Sequence, residues 1–195
     1  MPISVCVFCG SKVGASDDYA TAARELGVLL AARGMRLVFG GGHIGLMGVV
    51  ADAVLAGGGP VTGVIPNFLA DRELAHPGVA DMRLVSSMHE RKALMAEECD
   101  LFMALPGGLG TFEELLEVIT WKQLAIHAKP VGVLNVQGFF DPLLLQLEHA
   151  VQEEFLSDAN RRMLIVEKTP AALLDRLVRA LPVDGTGGEV SSEKT

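Results

Sequence analysis

The sequence predicts an α/β fold in which a doubly wound, mostly parallel sheet is covered by helices on both faces. Two observations lead to this prediction. Short apolar runs alternate with longer helical patterns along most of the 195 residues, and this alternation is typical of parallel strands joined by crossover helices. Glycine-rich segments also follow two of the predicted strands, at the carboxyl ends where such sheets bind ligands.

Strands are predicted at seven short apolar runs, which occupy residues 3–8, 36–39, 61–65, 82–85, 101–105, 131–134 and 164–166. Helices are predicted between these strands and after the last one. They occupy residues 17–33, the segment after residue 48 to about residue 56, a segment that starts at Ser87, residues 111–126, residues 140–155 and a segment that starts at Thr169. Ser87 opens a capping box with Glu90, and Pro170 takes a first helical position, where a missing N–H is tolerated. Residues 66–81 are predicted to form a loop.

These elements predict one Rossmann-like domain over residues 1–182, followed by a disordered tail over residues 183–195. The length is sufficient for a single α/β domain with a sizeable core. The tail is polar and contains glycine, a composition that cannot bury much apolar surface. No internal repeat or linker divides the chain.

Composition excludes several classes of protein. A net charge of −8 argues against a general nucleic-acid partner. No apolar stretch is long enough to span a bilayer, and the N-terminus lacks the basic region of a signal peptide. Three cysteines give no disulfide framework, so a cytoplasmic protein is expected. Cys6 and Cys9 are interpreted as small buried side chains, since Cys6 lies inside a predicted strand.

The most informative segment runs from Pro106 to Glu114, between a predicted strand and a predicted helix. Gly107, Gly108 and Gly110 let the backbone approach a ligand closely, and the helix N-terminus supplies N–H groups and a partial positive charge. This arrangement predicts a phosphate cradle. Glu114 follows one turn into the helix, where a sugar attached to that phosphate would reach it.

A second glycine loop, Gly40-x-Gly42-x-x-Gly45, matches the dinucleotide fingerprint. It follows the second strand instead of the first, and the third strand ends in Pro66-Asn67 without an acidic residue for a ribose, so an NAD-dependent enzyme is disfavoured. A tight turn with close helix packing is one interpretation. We favour a nucleotide contact, because both glycine loops converge on one edge of the sheet.

Arg91 and Lys92 lie near the start of the helix that begins near Ser87. Met88, Arg91 and Met95 share one face of that helix, so the Arg91 guanidinium is expected to point inward and to need an anionic partner. The partner is either a structural carboxylate or a substrate group, and the nearby glycine cradle favours the substrate. Lys92 is either a second substrate contact or a solvated surface side chain.

Glu113 and Glu114 form an acidic pair at the start of their helix. Thr111 and Glu114 have the spacing of a capping box, so Glu114 could simply cap its own helix. The helix N-terminus is expected to keep either glutamate ionised. An ionised carboxylate suits binding of ribose hydroxyls or stabilisation of a developing cation, and it suits a general acid poorly.

The helix predicted at 111–126 carries two apolar stripes where a surface helix needs one. The second stripe comprises Val118, Trp121 and Ala125. It predicts a homodimer, since symmetric dimers are the commonest assembly, unless the chain's own C-terminal helices cover it. The five histidines show neither metal-ligand spacing nor a Ser–His–Asp arrangement, so no metal is expected.

At these residues the chain resembles the lonely-guy (LOG) family of cytokinin riboside 5′-monophosphate phosphoribohydrolases. The family pattern P-G-G-x-G-T-x-x-E is met by residues 106–114 and the M-H-x-R-K pattern by residues 88–92. Residues 9–11, 40–48 and 114–121 also match, and the resemblance covers about residues 3–181. One departure is the loop at residues 74–78, where family members carry a glutamate that approaches the ligand and this chain has none.

The resemblance implies hydrolysis of the N-glycosidic bond of an adenosine 5′-monophosphate, which releases a free base and ribose 5-phosphate without a cofactor or metal. Arg91 and Glu114 are the implied catalytic residues. The implied substrate-binding residues come from the loops after three strands and from the two helices that follow: Gly10, Ser11, Gly41, Gly42, Gly45, Met88, Arg91, Lys92, Gly107, Gly108, Leu109, Gly110, Thr111, Phe112, Glu113, Glu114 and Thr120.

Two other interpretations stay open at this point. The same fold and cradle serve a nucleotide or molybdenum-cofactor carrier without chemistry, but the presence of both Arg91 and Glu114 favours the enzyme. The second open interpretation is an NAD(P)-dependent enzyme. Some relatives have carried the label lysine decarboxylase, yet no lysine can be placed here as a pyridoxal-phosphate Schiff base with its usual partners.

Overall fold

The computed structural model describes residues 2–70 and 74–182. The strands are β1 (Ser4–Phe8), β2 (Arg36–Phe39), β3 (Val61–Pro66), β4 (Asp81–Val85), β5 (Leu101–Ala104), β6 (Val131–Leu134) and β7 (Leu164–Glu167). The helices are α1 (Asp17–Ala32), α2 (Gly45–Ala56), α3 (Asn67–Ala70), α4 (Met88–Glu97), α5 (Leu109–Gln123), α6 (Asp141–Gln152), α7 (Asp158–Arg161) and α8 (Pro170–Arg179), with a 3₁₀ turn at Val136–Gly138.

All seven strands pair in parallel, in the order β4-β3-β2-β1-β5-β6-β7. This confirms the predicted α/β fold with a parallel sheet. The chain runs outward from β1 to β4 on one side and from β5 to β7 on the other, so its direction reverses between β1 and β5. Doubly wound sheets bind ligands at the carboxyl ends of the strands at such a reversal, which places the expected site after β1 and β5.

Two apolar layers sandwich the sheet. One contains buried residues of α1, α2 and α8, and the other contains those of α4 and α5 with half-buried leucines of α6. Every residue of β1, β3, β5 and β6 is buried, as expected for parallel strands covered on both faces. Among the described residues, no helix is long and apolar enough to cross a membrane.

Several elements differ from the sequence predictions. Helix α5 begins at Leu109 with Gly108 as its N-cap, two residues before the predicted start. The predicted loop at 66–81 contains the short helix α3, and the predicted helix at 140–155 ends at Gln152, shortly before Glu154 with its left-handed backbone (φ 62°). Helix α7 was missed, although Ser157 caps it through its side chain. The predicted tail lies outside the described residues.

Of the second apolar stripe of the predicted helix, the chain itself buries Val118 and half-buries Trp121, whereas Ala125 is exposed. Val118 is buried in the core layer beneath α4 and α6, and Trp121 packs at the edge of the same layer. Ala125 lies beyond the end of the helix. The exposed apolar side chains of this region are instead Leu109, Leu116, Leu124 and Ile126.

Candidate active site

Three glycine-bearing loops meet at the point where the sheet reverses direction. The Gly10 N–H donates a hydrogen bond to the Pro106 carbonyl at 3.1 Å, and the Leu46 N–H donates to the Gly10 carbonyl at 2.9 Å. Gly45 has a left-handed backbone (φ 63°), and a Cβ placed on it would lie 2.2 Å from the carbonyl carbon of Ser11. The loops after β1, β2 and β5 are therefore held together by their main chains, and glycine at position 45 is required for this contact.

A cavity of about 360 Å³ opens at this junction. Its walls combine residues of the three loops, polar side chains of α4 and α5, and a set of apolar side chains. The lining residues are Cys9, Gly10, Ser11, Gly40, Gly42, Ile44, Met47, Ile65, Leu69, Leu74, Arg91, Gly108, Leu109, Gly110, Thr111 and Glu114. A larger groove of about 640 Å³ lies between α1 and α2, but none of the three loops lines it. Of these two cavities, the smaller one combines ionisable groups with a helix N-terminus, and we refer to it as the cleft.

The N-terminus of α5 forms one end of the cleft. Gly108 makes no side-chain cap, and the first N–H groups of a helix have no partner inside the helix. These donors and the positive end of the helix dipole favour a bound anion. A Cβ on Gly107 would lie 2.1 Å from Thr111 Oγ1, so packing explains that glycine. A Cβ on Gly108 or Gly110 would meet nothing within 4 Å, which means that these two glycines keep space open beside the helix N-terminus.

Arg91 is buried on α4 and points into the cleft, as the sequence predicted. Its Nη2 donates to the Gly40 carbonyl at 2.9 Å and its Nε donates to the Val64 carbonyl at 3.2 Å. Its Nη1 lies 3.9 Å from Glu114 Oε1. The guanidinium is therefore fixed by the ends of two strands, and its remaining nitrogen faces the carboxylate at the cleft wall.

Glu114 is buried opposite Arg91 and lines the cleft. Burial raises its pKa from 4.5 to about 7, against the charge of Arg91, which lowers it. The sequence-based expectation that this carboxylate stays fully ionised is therefore wrong, because loss of hydration on burial outweighs the nearby charge of Arg91. The capping-box interpretation is also wrong, because α5 starts at Leu109 and Thr111 lies inside the helix. Near neutral pH, Glu114 can both accept and release a proton.

Lys92 and Glu113 form an ion pair with each other, and neither residue lines the cleft. The Lys92 ammonium is buried between α4 and α5, where it contacts the carboxylates of Glu113 and Glu117, the latter at 3.0 Å. The interpretation of Lys92 as a solvated surface side chain is wrong.

The other predicted site residues separate into loop supports and rim residues. Gly41 has a left-handed backbone (φ 73°) and, with Gly45 and Gly107, supports the loops without lining the cleft. Met88 is exposed, with its sulfur 3.8 Å from Arg91 Nη1. Phe112 stacks on Phe139 with ring centroids 6.1 Å apart. Gly10, Ser11, Gly42, Gly108, Leu109, Gly110 and Thr111 do line the cleft.

Thr120 lies two turns further along α5, away from the cleft. Its hydroxyl donates to the Leu116 carbonyl at 2.7 Å, and the residue lines a separate hollow of about 110 Å³ next to α6 and α7. Within one chain, Thr120 is therefore not part of the cleft.

Sequence analysis did not identify the apolar wall of the cleft. This wall consists of Ile44, Met47, Ile65, Leu69 and Leu74. Ile65 could have been found as the last residue of the predicted third strand, at the ligand-binding edge of the sheet. Leu69 and Leu74 lie in the segment predicted as a loop, where the sequence carries no signal of their position.

The loop that carries Leu74 is anchored to the second glycine loop. Ala75 forms a β-bridge with Gly42, and the His76 N–H donates to the Gly41 carbonyl at 2.8 Å. The buried His76 ring contacts Asp52 of α2 through Nε2 at 3.1 Å, and its Nδ1 accepts from the Gly78 N–H. No group of three or more metal-ligating side chains is clustered among the described residues.

Comparison with known proteins identifies the family. The cytokinin riboside 5′-monophosphate phosphoribohydrolase LOG of Oryza sativa subsp. japonica is 53% identical over 178 residues, which cover 91% of this chain and 74% of the rice protein. Its Arabidopsis thaliana counterpart LOG2 is 49% identical over 178 residues, which cover 91% of this chain and 84% of the relative. The chain belongs to the LOG family. A family profile described as "possible lysine decarboxylase" also matches residues 47–177 of this LOG-family chain.

Solved structures agree with the fold of this LOG-family chain. The molybdenum cofactor carrier protein of Chlamydomonas reinhardtii superposes with a TM-score of 0.70 at 20% identity, over 92% of this chain and 98% of that one. The molybdenum cofactor binding protein of Rippkaea orientalis gives the same TM-score at 19% identity, over 92% and 97% of the two chains. At such low identity, the likeness confirms the Rossmann-like fold alone.

The raised pKa of Glu114 makes the stability of the protein depend on pH. A pKa of about 7 in the folded state against 4.5 normally means that the folded state binds this proton more tightly. The resulting stabilisation is complete below about pH 4.5 and is lost as the pH rises through about 7. Glu114→Gln is neutral throughout and does not undergo this loss. We expect the stability of the variant relative to wild type to increase by about 3 kcal/mol from pH 4.5 to pH 8.

Urea unfolding at a series of pH values measures this difference. Glu25→Gln, at an exposed position of α1, is the control and should follow the wild-type pH profile. Parallel profiles for Glu114→Gln and wild type would show that Glu114 has an ordinary pKa.

Proposed function

We propose that this protein hydrolyses the N-glycosidic bond of adenosine 5′-monophosphates, including N6-substituted forms of the cytokinin type, to a free base and ribose 5-phosphate. The observation that carries the proposal is the open main-chain cradle at the N-terminus of α5, one turn from the Arg91–Glu114 pair. Membership of the LOG family supports it, since relatives about half identical to this chain are named for this reaction.

The cradle anchors the phosphate. The N–H groups of Leu109, Gly110 and Thr111 are donors at the positive end of α5, and the cavity left by Gly108 and Gly110 admits phosphate oxygens. Binding energy from the phosphate, which does not react, then fixes the ribose for reaction at its far side. Glu114 follows Gly110 by about one helical turn, roughly 6 Å of rise, so a ribose held at the cradle extends toward its carboxylate.

Glu114 and Arg91 act on the bond that breaks. Cleavage of an N-glycosidic bond leaves positive charge on the anomeric carbon, as in other glycoside hydrolyses. The ionised form of Glu114 stabilises that charge and accepts a proton from the attacking water. The electron pair of the C–N bond leaves with the base, which takes up one proton from solvent, and Glu114 then releases to solvent the proton that it accepted from water. Arg91 keeps a fraction of Glu114 ionised at neutral pH and orients its carboxylate.

The apolar wall receives the base. Five apolar residues from α2, β3, α3 and the adjoining loops line the cleft: Ile44, Met47, Ile65, Leu69 and Leu74. A purine ring and an apolar substituent on its N6 are desolvated favourably against such a surface. This wall supports N6-alkylated adenine nucleotides as substrates alongside AMP itself.

We also propose that the protein acts as a cytoplasmic homodimer through the exposed face of α5. Leu109 is 89% exposed and Leu116 is 40% exposed on this face, and Leu124 continues it with 62% exposed. Thr120 lies on the same face, so a partner packed here would bring this residue near a second copy. The three free, buried cysteines suit a reducing compartment.

Hydrolysis is tested by chromatography of the products formed from AMP, isopentenyl-AMP and adenosine. We expect free base from both monophosphates and none from adenosine, because the cradle makes the phosphate part of recognition. Equal release of adenine from AMP and adenosine would contradict the role of the cradle. Tight binding of AMP with no release of base would instead indicate a nucleotide carrier.

Gly110→Ala separates binding from stability. The added methyl group meets no protein atom within 4 Å, and alanine is favoured over glycine in a helix by up to about 1 kcal/mol. We therefore expect equal or higher stability together with at least a tenfold rise in KM for AMP, because the methyl group enters the phosphate space. The matched control is Gly107→Ala, whose methyl group clashes with Thr111 and should lower stability by roughly 1–3 kcal/mol. An unchanged KM in Gly110→Ala would place the phosphate elsewhere.

Leu116→Glu tests the proposed dimer face. A charge buried without a partner at an interface is strongly unfavourable, so sedimentation should show a shift from dimer toward monomer. Leu145→Glu, at a 69% exposed leucine of α6, is the control and should sediment like wild type. A monomeric wild type, or a dimer unaffected by Leu116→Glu, would reject this face.

A further inference from the structure

The apolar wall of the cleft has one member that no helix or strand holds in place. The other four wall residues belong to α2, β3 and α3 or cap the start of α2. Leu74 is half-buried and lies in the segment between α3 and β4, outside both elements. Its place in the wall therefore depends on the contacts that hold residues 74–79, which we call the wall loop.

Main-chain hydrogen bonds hold the first part of the wall loop. The His43 N–H donates to the Leu74 carbonyl at 3.0 Å, and the His76 N–H donates to the Gly41 carbonyl at 2.8 Å. The second part is a turn, in which the Val79 N–H donates to the His76 carbonyl at 3.3 Å and the Val79 side chain is buried in the core. His76 thus lies where the two parts of the wall loop meet.

The His76 side chain connects the wall loop to the rest of the domain. Its Nε2–H donates to Asp52 Oδ1 of α2 at 3.1 Å, and its Nδ1 accepts from the Gly78 N–H at 3.1 Å. The ring packs edge-on against Phe39 of β2, with ring centroids 6.4 Å apart, and the side chain is only 5% exposed. One buried side chain therefore joins a helix, a strand and the turn of the loop.

Asp52 determines which ring nitrogen of His76 can close the turn. A neutral imidazole carries one N–H and one bare nitrogen, and a carboxylate only accepts hydrogen bonds. Because Asp52 faces Nε2, the hydrogen lies on Nε2, and Nδ1 is left to accept from the Gly78 N–H. The two contacts of the ring thus require the same tautomer, and together they use both nitrogens.

We propose that His76 is a specificity-determining positioning residue, which holds the wall loop against α2 and β2 and thereby fixes Leu74 in the apolar wall that receives the substituent on the adenine. This inference rests on the proposed function. His76 does not line the cleft, so it acts through Leu74 and not by touching the nucleotide. The contacts that hold the glycine loops together and fix Arg91 do not involve the His76 ring.

Steady-state kinetics of His76→Ala with isopentenyl-AMP and with AMP test the proposal. We expect KM for isopentenyl-AMP to rise at least tenfold, whereas KM for AMP and both kcat values change less than threefold, because Leu74 leaves the wall while the cradle and Glu114 stay in place. His149→Ala, at an exposed position of α6, is the control and should behave like wild type. An equal loss with both substrates, or no change with either, would overturn the proposal.

Two further variants separate positioning from folding. His76→Phe keeps a ring against Phe39 but has no nitrogen for Asp52 or Gly78, so it should fold and shift KM in the same way as His76→Ala. His76→Asn restores an acceptor for the Gly78 N–H and should lower KM for isopentenyl-AMP at least threefold relative to His76→Phe. A wild-type KM in His76→Phe, or a His76→Asn variant no better than His76→Phe, would show that the ring nitrogens do not position the loop.

A double-mutant cycle tests the link through Leu74. Leu74→Ala should itself raise KM for isopentenyl-AMP at least tenfold. Adding His76→Phe to Leu74→Ala should change this KM less than twofold further, because the side chain that His76 positions is already gone. If the effects of the two single variants instead multiply in the double variant, His76 acts elsewhere and the proposal is wrong.

Nitrogen NMR of histidine-labelled protein reports on the His76 ring without turnover. With His76→Phe to assign the signals, the chemical shifts should show the hydrogen on Nε2 and a bare Nδ1, and the reverse tautomer would overturn the proposal. If wild type releases no base from AMP, the proposed function is wrong, whatever the tautomer of His76. If wild type releases base from AMP but not from isopentenyl-AMP, the specificity role is wrong while hydrolysis of the monophosphate stands.

Discussion

The contact between the main chains of the three loops at the reversal of the sheet is the constraint on which the site depends. A Cβ at position 45 would overlap Ser11, and one at position 107 would overlap Thr111. The loops can therefore approach each other only because both positions are glycine. Their contact fixes where α5 begins, and therefore where its first N–H groups point. Arg91 is anchored near the same junction, because its guanidinium donates hydrogen bonds to the carbonyl of Gly40, just after β2, and to that of Val64 in β3.

Two opposing effects act on Glu114, and their sizes decide its ionisation. A carboxylate in the first turns of a helix gains about 0.3–1 kcal/mol from the dipole at an exposed site. A pKa raised to about 7 corresponds to roughly 3 kcal/mol in the other direction. Burial therefore prevails even with Arg91 close by. The ordinary rule for helix N-termini applies to exposed carboxylates and fails for this one, which the cleft has removed from water.

The sequence was sufficient for the fold and for the convergence of the glycine loops at one edge of the sheet, because both follow from local patterns. Alternating strands and helices predict a parallel sheet, and the glycines after β5 predict close backbone approach. It was not sufficient for Glu114, whose pKa depends on burial by distant residues, nor for Lys92, whose partners lie 21 and 25 residues along the chain. Leu69 and Leu74 reach the cleft because the loop of His76 is pinned to Gly41 and Asp52, a contact without a sequence signature.

The division of the cleft into a main-chain end and a side-chain end has a consequence for how such proteins diverge. N–H groups are supplied by every residue type except proline, so the proposed phosphate anchor would survive most substitutions around it. The apolar wall is made of side chains, and one substitution there changes its shape. On the proposed function, substitutions at Ile44, Met47 or Leu74 would alter the preference for the base without changing the main-chain contacts to the phosphate.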